Sequence, residues 1–344
     1  MRLVNFGLFL FIEFMVYKIL QLFAINRKEV YLLIFLALPG AFVTSIIAMS
    51  EMPTYAMLSV FIYFFIKYLK ASDKALKPVS YHILNGVVCG VFLGLAIIGR
   101  TQLLMLLPGL MILFFIRRKS NYASFLLPAI IASSMIYLPM FLIWKGMVPP
   151  KASFSESGVG HLNYRNLFIC SVYLVLINFL VCKKSFTVFR PIVKNWKLSI
   201  ASFLLLVAIN IFITKYSYSN DTLIRLIGNR EILNQIVAVI AILFVAYVLL
   251  ILTKAGLHLL QNEDSISLFL LTSIVLAHYC IIKYEYNTGI RHISQISILI
   301  VPLLAERFMI KANHTKLYLG IFIGMSLNLL VVFNQFYGTF TLLK

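Results

Sequence analysis

Ser50-Glu51-Met52-Pro53 separates two apolar runs, residues 30–49 and 55–70, and sets a single carboxylate in the gap between them. Each run is close to the ~20 apolar residues that carry a helix across bilayer hydrocarbon. A carboxylate is costly there without a partner, so Glu51 marks either a point where the chain meets water or a site. Pro53 has no N–H to contribute and suits the first turn of a helix, which puts the helix start at Ser50 or Glu51.

Working outward from this break, the same alternation of apolar run and short polar break fills the chain. Spans are expected near 3–25, 30–49, 55–70, 81–98, 101–116 and 123–145, then near 165–182, 197–215, 233–253, 265–283, 291–310 and 316–337. That is about 12 helices, with 11 to 13 compatible with the pattern, in one transmembrane domain over residues 1–344. The 101–116 run is short for a crossing and is expected to tilt or to enter only partly. A composition of 62% hydrophobic and 12% charged residues excludes a soluble globular domain. The runs lack the ten-residue alternation of a membrane barrel, so the fold class is an all-α polytopic membrane protein. Residues 1–25 contain Glu13 and Lys18 and lack a small-residue cleavage site, so they are expected to form the first span rather than a cleaved signal.

Orientation follows from the basic residues, because cytoplasmic loops carry the excess. One set of alternate loops, including Lys67, Lys70, Lys74, Lys77, Arg117, Arg118 and Lys119, holds 18 of the 30 Lys and Arg residues. The other set holds 11 and includes both termini, Glu51, Arg100 and the 146–164, 216–232 and 284–290 loops. That second face is expected outside, with both termini extracytoplasmic in an inner or plasma membrane. The net charge of +19 is spread over short loops without interleaved aromatic motifs, which points to anionic lipid headgroups and not to nucleic acid. Cys89, Cys170, Cys182 and Cys280 fall in apolar runs at no metal or redox spacing and are read as packing residues.

The external face gathers the chemistry. Glu51 is either a carboxylate stabilised by the helix dipole or part of a functional site. Arg100 follows Gly99 with almost no loop. It is either an anchor snorkelling to headgroups or a guanidinium held ready for a phosphate. The segment Tyr284-Glu285-Tyr286-Asn287-Thr288-Gly289-Ile290-Arg291-His292 is richer in polar groups than a connector needs, although belt tyrosines explain part of it. Residues 145–165, with Pro149-Pro150, Glu156, Gly158, Gly160 and His161, are expected to form a solvated connector, a lid or an acceptor-binding segment. Mid-span, Glu13 and Lys18 are five residues apart, too far around a helix for an ideal pair. External carboxylates are of a type that binds divalent cations, but no His/Asp/Glu spacing specifies a metal site, and no cofactor is implied.

Residues 5–10 and Tyr17-Lys18, Ser50-Glu51-Met52-Pro53 opening the third span, residues 90–100 ending the fourth, and residues 284–302 with Arg291 and Pro302 together resemble the GT-C superfamily of polytopic glycosyltransferases. The resemblance covers the first 120 residues best and the late segment loosely. It implies a GT-C-like bundle that moves a sugar, with inversion, from a polyprenyl-phosphate donor to a lipid or glycan acceptor on the extracytoplasmic face. It further implies that Glu51 is the catalytic carboxylate and that Arg100, Arg291 and the neighbouring His292 bind the donor phosphate. Glu156, His161, Tyr284 and Glu285 are then the acceptor-side candidates. In that superfamily an opening span and a large external loop with an acidic residue precede the segment that Met1 begins, so a truncated or inactive member is an expectation too. Two other classes stay open. A lipid-linked oligosaccharide polymerase or ligase would use the 146–164 loop with Arg225 and Arg230, whereas a flippase or transporter needs internal repeats that the sequence does not show.

Overall fold

The computed structural model describes residues 2–23, 32–33, 35–36, 51–74, 77–116, 121–146, 265–282, 297–303, 321–322 and 325–326. Among them every regular element is helical and no strand occurs. The helices are α1 (Arg2–Leu22), α2 (Glu51–Lys74), α3 (Val79–Gly99), α4 (Leu106–Ile116), α5 (Tyr122–Trp144) and α6 (Ser265–Ile282). A short 3₁₀ helix, Thr101–Met105, links α3 to α4. Helices α1, α2, α3 and α5 are each long and apolar enough to cross a membrane. The expected spans at 165–182, 197–215 and 233–253 lie outside the described residues, as do most of those at 30–49, 291–310 and 316–337.

The outward faces are as apolar as the core. On α1 the buried residues Phe9, Ile12, Val16, Ile19 and Leu20 recur at helical spacing, while Leu3, Phe6, Leu10 and Phe14 on the other side are exposed. A helix of that kind is stable in lipid, where an exposed Leu or Phe costs nothing. The four long apolar helices point to a membrane protein.

Helix directions follow from contacts at each end of the bundle. Lys70, near the C-terminal end of α2, donates to the carbonyl of Leu22 at the C-terminal end of α1 over 2.8 Å, and its ammonium lies 4.1 Å from the Phe23 ring. Helices α1 and α2 therefore run parallel, which brings the start of α1 and Glu51 to one end of the bundle. Helix α3 returns antiparallel to α2: Tyr68 hydrogen-bonds His82 at one end, and Thr54 packs on Gly99 at the other. Helix α5 runs parallel to α3, because Gly86, Gly90 and Gly94 meet Phe125, Ala129 and Ser133 in the same order.

With α3 and α5 parallel, the chain between them must return across the bundle. The 101–116 stretch is short by residue count, but its first five residues rise as 3₁₀ helix, and the two pieces together span about 26 Å. The polar break at 50–53 is helical from Glu51 onward, as a Pro53 in the first turn indicates. Helix α2 therefore starts four residues before the expected span and the break is its first turn.

Helix α2 is the most enclosed of the four spans. Phe65 stands 4.5 Å from Phe269 of α6 and 5.8 Å from Phe125 of α5, centroid to centroid, and Tyr68 stacks on Phe125 at 4.0 Å. Aromatic contacts of this kind hold helices together where water supplies no hydrophobic drive between them.

Candidate functional site

Only backbone without a side chain allows the close approach at the Glu51 end of the bundle. A Cβ on Gly99 would collide with the Thr54 side chain, so the last turn of α3 lies directly against the first turn of α2. The chain then leaves the helix at Arg100, whose backbone is extended (φ −148°, ψ 103°) and whose N–H still bonds the Ala96 carbonyl at 3.0 Å. Its side chain is thereby directed to the start of α2.

There the Arg100 Nη2 donates to Glu51 Oε1 in a direct ion pair. Two residues that sequence reasoning singled out separately, 49 positions apart, thus form one unit. The helix termini favour the arrangement. Glu51 sits at the positive N-terminal end of α2, and Arg100 at the negative C-terminal end of α3, so each charge meets both its partner and a complementary dipole. Glu51 thus stands at the start of α2, where a dipole-stabilised carboxylate is expected.

Burial of the two groups is unequal. The Glu51 side chain is 5% exposed and that of Arg100 18%. Arg100 is therefore the accessible partner. A guanidinium has five N–H donors in a planar fork, and among the described residues the Arg100 fork meets Glu51 and no other acceptor. Removing Arg100 leaves the enclosed Glu51 carboxylate uncompensated, which costs about 3–5 kcal/mol, whereas removing Glu51 leaves a guanidinium that is partly exposed. Thr54 and Gln102 are buried beside the pair in sequence, and Gln102 has partners of its own.

The other candidates do not join this unit within the described residues. Arg291, His292, Glu156, His161, Tyr284, Glu285, Arg225 and Arg230 all lie outside them. Among the described residues no group of three His, Cys, Asp or Glu side chains is placed to hold a metal ion. Cys89 is a free, fully buried thiol. In α1, Lys18 places its ammonium 5.4 Å from the Phe14 ring, and Glu13 Oε1 is buried with no hydrogen-bond partner among the described residues. The two residues do not pair.

Sequence reasoning missed two features. The first is the Tyr68–His82 hydrogen bond, 2.8 Å long between buried side chains at the opposite end of the α2–α3 hairpin. The second is the Gly86, Gly90, Gly94 stripe, whose spacing of four was visible in the sequence as a small-xxx-small signal. No family model, curated protein or solved structure matches the chain, so the Glu51–Arg100 pair is interpreted on its own chemistry.

Proposed function

We propose that the chain is a GT-C-type membrane glycosyltransferase of about 12 spans that moves a sugar from a polyprenyl-phosphate donor to a cell-envelope acceptor. The observation that carries this reading is the Glu51–Arg100 pair at the end of the bundle shared with the start of α1. The reading puts that end, with both termini, on the extracytoplasmic side of an inner or plasma membrane.

In the reaction, the Glu51 carboxylate accepts the proton of the acceptor hydroxyl as its oxygen attacks the anomeric carbon. The bond from that carbon to the phosphate oxygen breaks, and the electron pair leaves with the polyprenyl phosphate. Arg100 and Arg291 meet the charge on the departing group, with His292, the sequence neighbour of Arg291, in a lesser role. Glu156, His161, Tyr284 and Glu285 belong to the segments that bind the acceptor. A carboxylate and a guanidinium at one point, next to a helix break at the membrane edge, are the two groups this step requires.

The test is the cell-envelope glycan profile, by mass spectrometry, of cells carrying Glu51→Gln or Arg100→Lys in place of the wild-type chain. Lysine keeps the charge and loses the planar fork. Loss of one glycan species at normal levels of folded protein is the expected result. Where Glu51→Gln alone lowers the protein level, Glu51→Gln combined with Arg100→Gln removes both charges together and keeps the comparison interpretable. An unchanged glycan profile in these variants at normal expression removes the pair from any catalytic role.

A further inference from the structure

The base and the phosphate-binding group of the proposed reaction are bonded to each other, and that bond has a consequence for ligand binding. We propose that Glu51 and the phosphate of an isoprenoid phosphate ester compete for Arg100, so that donor binding at Arg100 is what releases the Glu51 carboxylate. This inference rests on the glycosyltransferase reading and specifies how its site is regulated.

Three observations carry it. The guanidinium is the more accessible member of the pair, so an incoming anion reaches Arg100 and not Glu51. The fork has donors that meet no acceptor among the described residues, so a phosphate can engage them before the Glu51 contact breaks. Arg100 stands at a junction between α3 and the 3₁₀ helix, with extended backbone on which its side chain can swing without unwinding either helix. The released carboxylate stays at the N-terminus of α2, where the helix dipole offsets part of its charge. A bound phosphate oxygen then takes the place that Glu51 held on the guanidinium.

The exchange links the two halves of the reaction. Without donor, Glu51 is occupied and no free base faces the acceptor; with donor, the carboxylate is available where the anomeric carbon lies. The ligand class is an isoprenoid phosphate, a phosphodiester in the sugar donor and a monoester in the departing polyprenyl phosphate, which farnesyl phosphate represents. The intramolecular competitor lowers apparent affinity by the fraction of time that the pair is closed. A pair closed about nine-tenths of the time weakens binding about tenfold.

The sign of a substitution effect tests this without any measurement of turnover. The full chain, purified in detergent, is titrated calorimetrically with farnesyl phosphate, with inorganic phosphate and with farnesol. Exchange requires that Glu51→Gln bind farnesyl phosphate about tenfold more tightly than wild type, that Glu51→Asp fall between them, and that Arg100→Gln bind weakly. Glu51→Asp also keeps a carboxylate near the buried position, which maintains the test should Glu51→Gln not fold. Equal binding of inorganic and farnesyl phosphate keeps the exchange and assigns it to free phosphate; binding of farnesol alone overturns it. Arg100-dependent binding that is unchanged or weakened by Glu51→Gln overturns the exchange and leaves the phosphate site standing, with Glu51 as its orienting group. No Arg100-dependent binding in any variant overturns the site reading itself.

Discussion

Two polar side-chain contacts close the two ends of the α2–α3 hairpin, and their surroundings give them different work. The Glu51–Arg100 pair is open on its arginine side, whereas Tyr68 and His82 are both buried and joined at 2.8 Å. A buried imidazole nitrogen without a partner costs more than the bond itself contributes. Tyr68→Phe is therefore expected to lower the stability of the detergent-solubilised protein by about 1 kcal/mol, near the upper range for hydrogen bonds between membrane helices. His82→Leu in that background should recover part of it; thermal unfolding of the four proteins of this double-mutant cycle checks both, and additive losses would mean that the contact is not energetic. At this scale the sequence was half informative. Glu51 and Arg100 were legible because an isolated charge among apolar residues has few places to go. Their pairing was not, since it depends on the hairpin register, which Thr54 against Gly99 sets. Tyr68 and His82 lie among Lys67, Lys70 and Lys77, where aromatic residues pass for interfacial anchors.

Helix α3 makes its broadest contact with α5, and the stripe of Gly86, Gly90 and Gly94 is the reason. A Cβ on Gly90 would strike the Ala129 carbonyl and lie 2.9 Å from the Ala132 Cβ, which is backbone and a rigid methyl group rather than the end of a flexible chain. Gly90→Leu is expected to cost at least about 1–3 kcal/mol and to push α5 away. Gly7→Leu on α1 is the matched control, because nothing lies within 4 Å of its Cβ position. Comparable melting temperatures for the two variants would show that the stripe does not set the helix spacing. The partner helix carries Pro128 and Pro139, which lack the N–H that would bond the carbonyls one turn back. Element boundaries were well indicated by composition, with α3, α5 and α6 falling within two residues of the expected spans. What composition could not show was the 3₁₀ start of the 101–116 stretch, because backbone rise depends on hydrogen-bond geometry and hydropathy does not report it.

At the scale of the molecule, the described helices divide the chain's groups between two ends. Glu51, Arg100, Lys145 and the start of α1 share one, while Lys70, Tyr68, His82 and Asn121 share the other. The basic residues Arg117, Arg118 and Lys119 lie just before Asn121 in sequence, so the proposed orientation, read from the charge bias, takes that end as the cytoplasmic one. In a cysteine-free background, Gly146→Cys should react with a membrane-impermeant maleimide on intact cells, and Asn121→Cys only after permeabilisation. Both positions are exposed ends of α5, so one experiment reads both sides. The reverse pattern would put the ion pair in the cytoplasm and remove the extracytoplasmic transfer reading. The parallel course of α1 and α2 also has a consequence in time. The Leu22 carbonyl is bonded by a lysine 48 residues further along the chain. At synthesis rates of about 5–20 residues per second, that lysine is made seconds after α1. Until the ribosome has supplied it, the end of α1 has to satisfy its carbonyl with water, lipid headgroups or the insertion machinery, so the first helix is docked by a partner that does not yet exist when it enters the membrane.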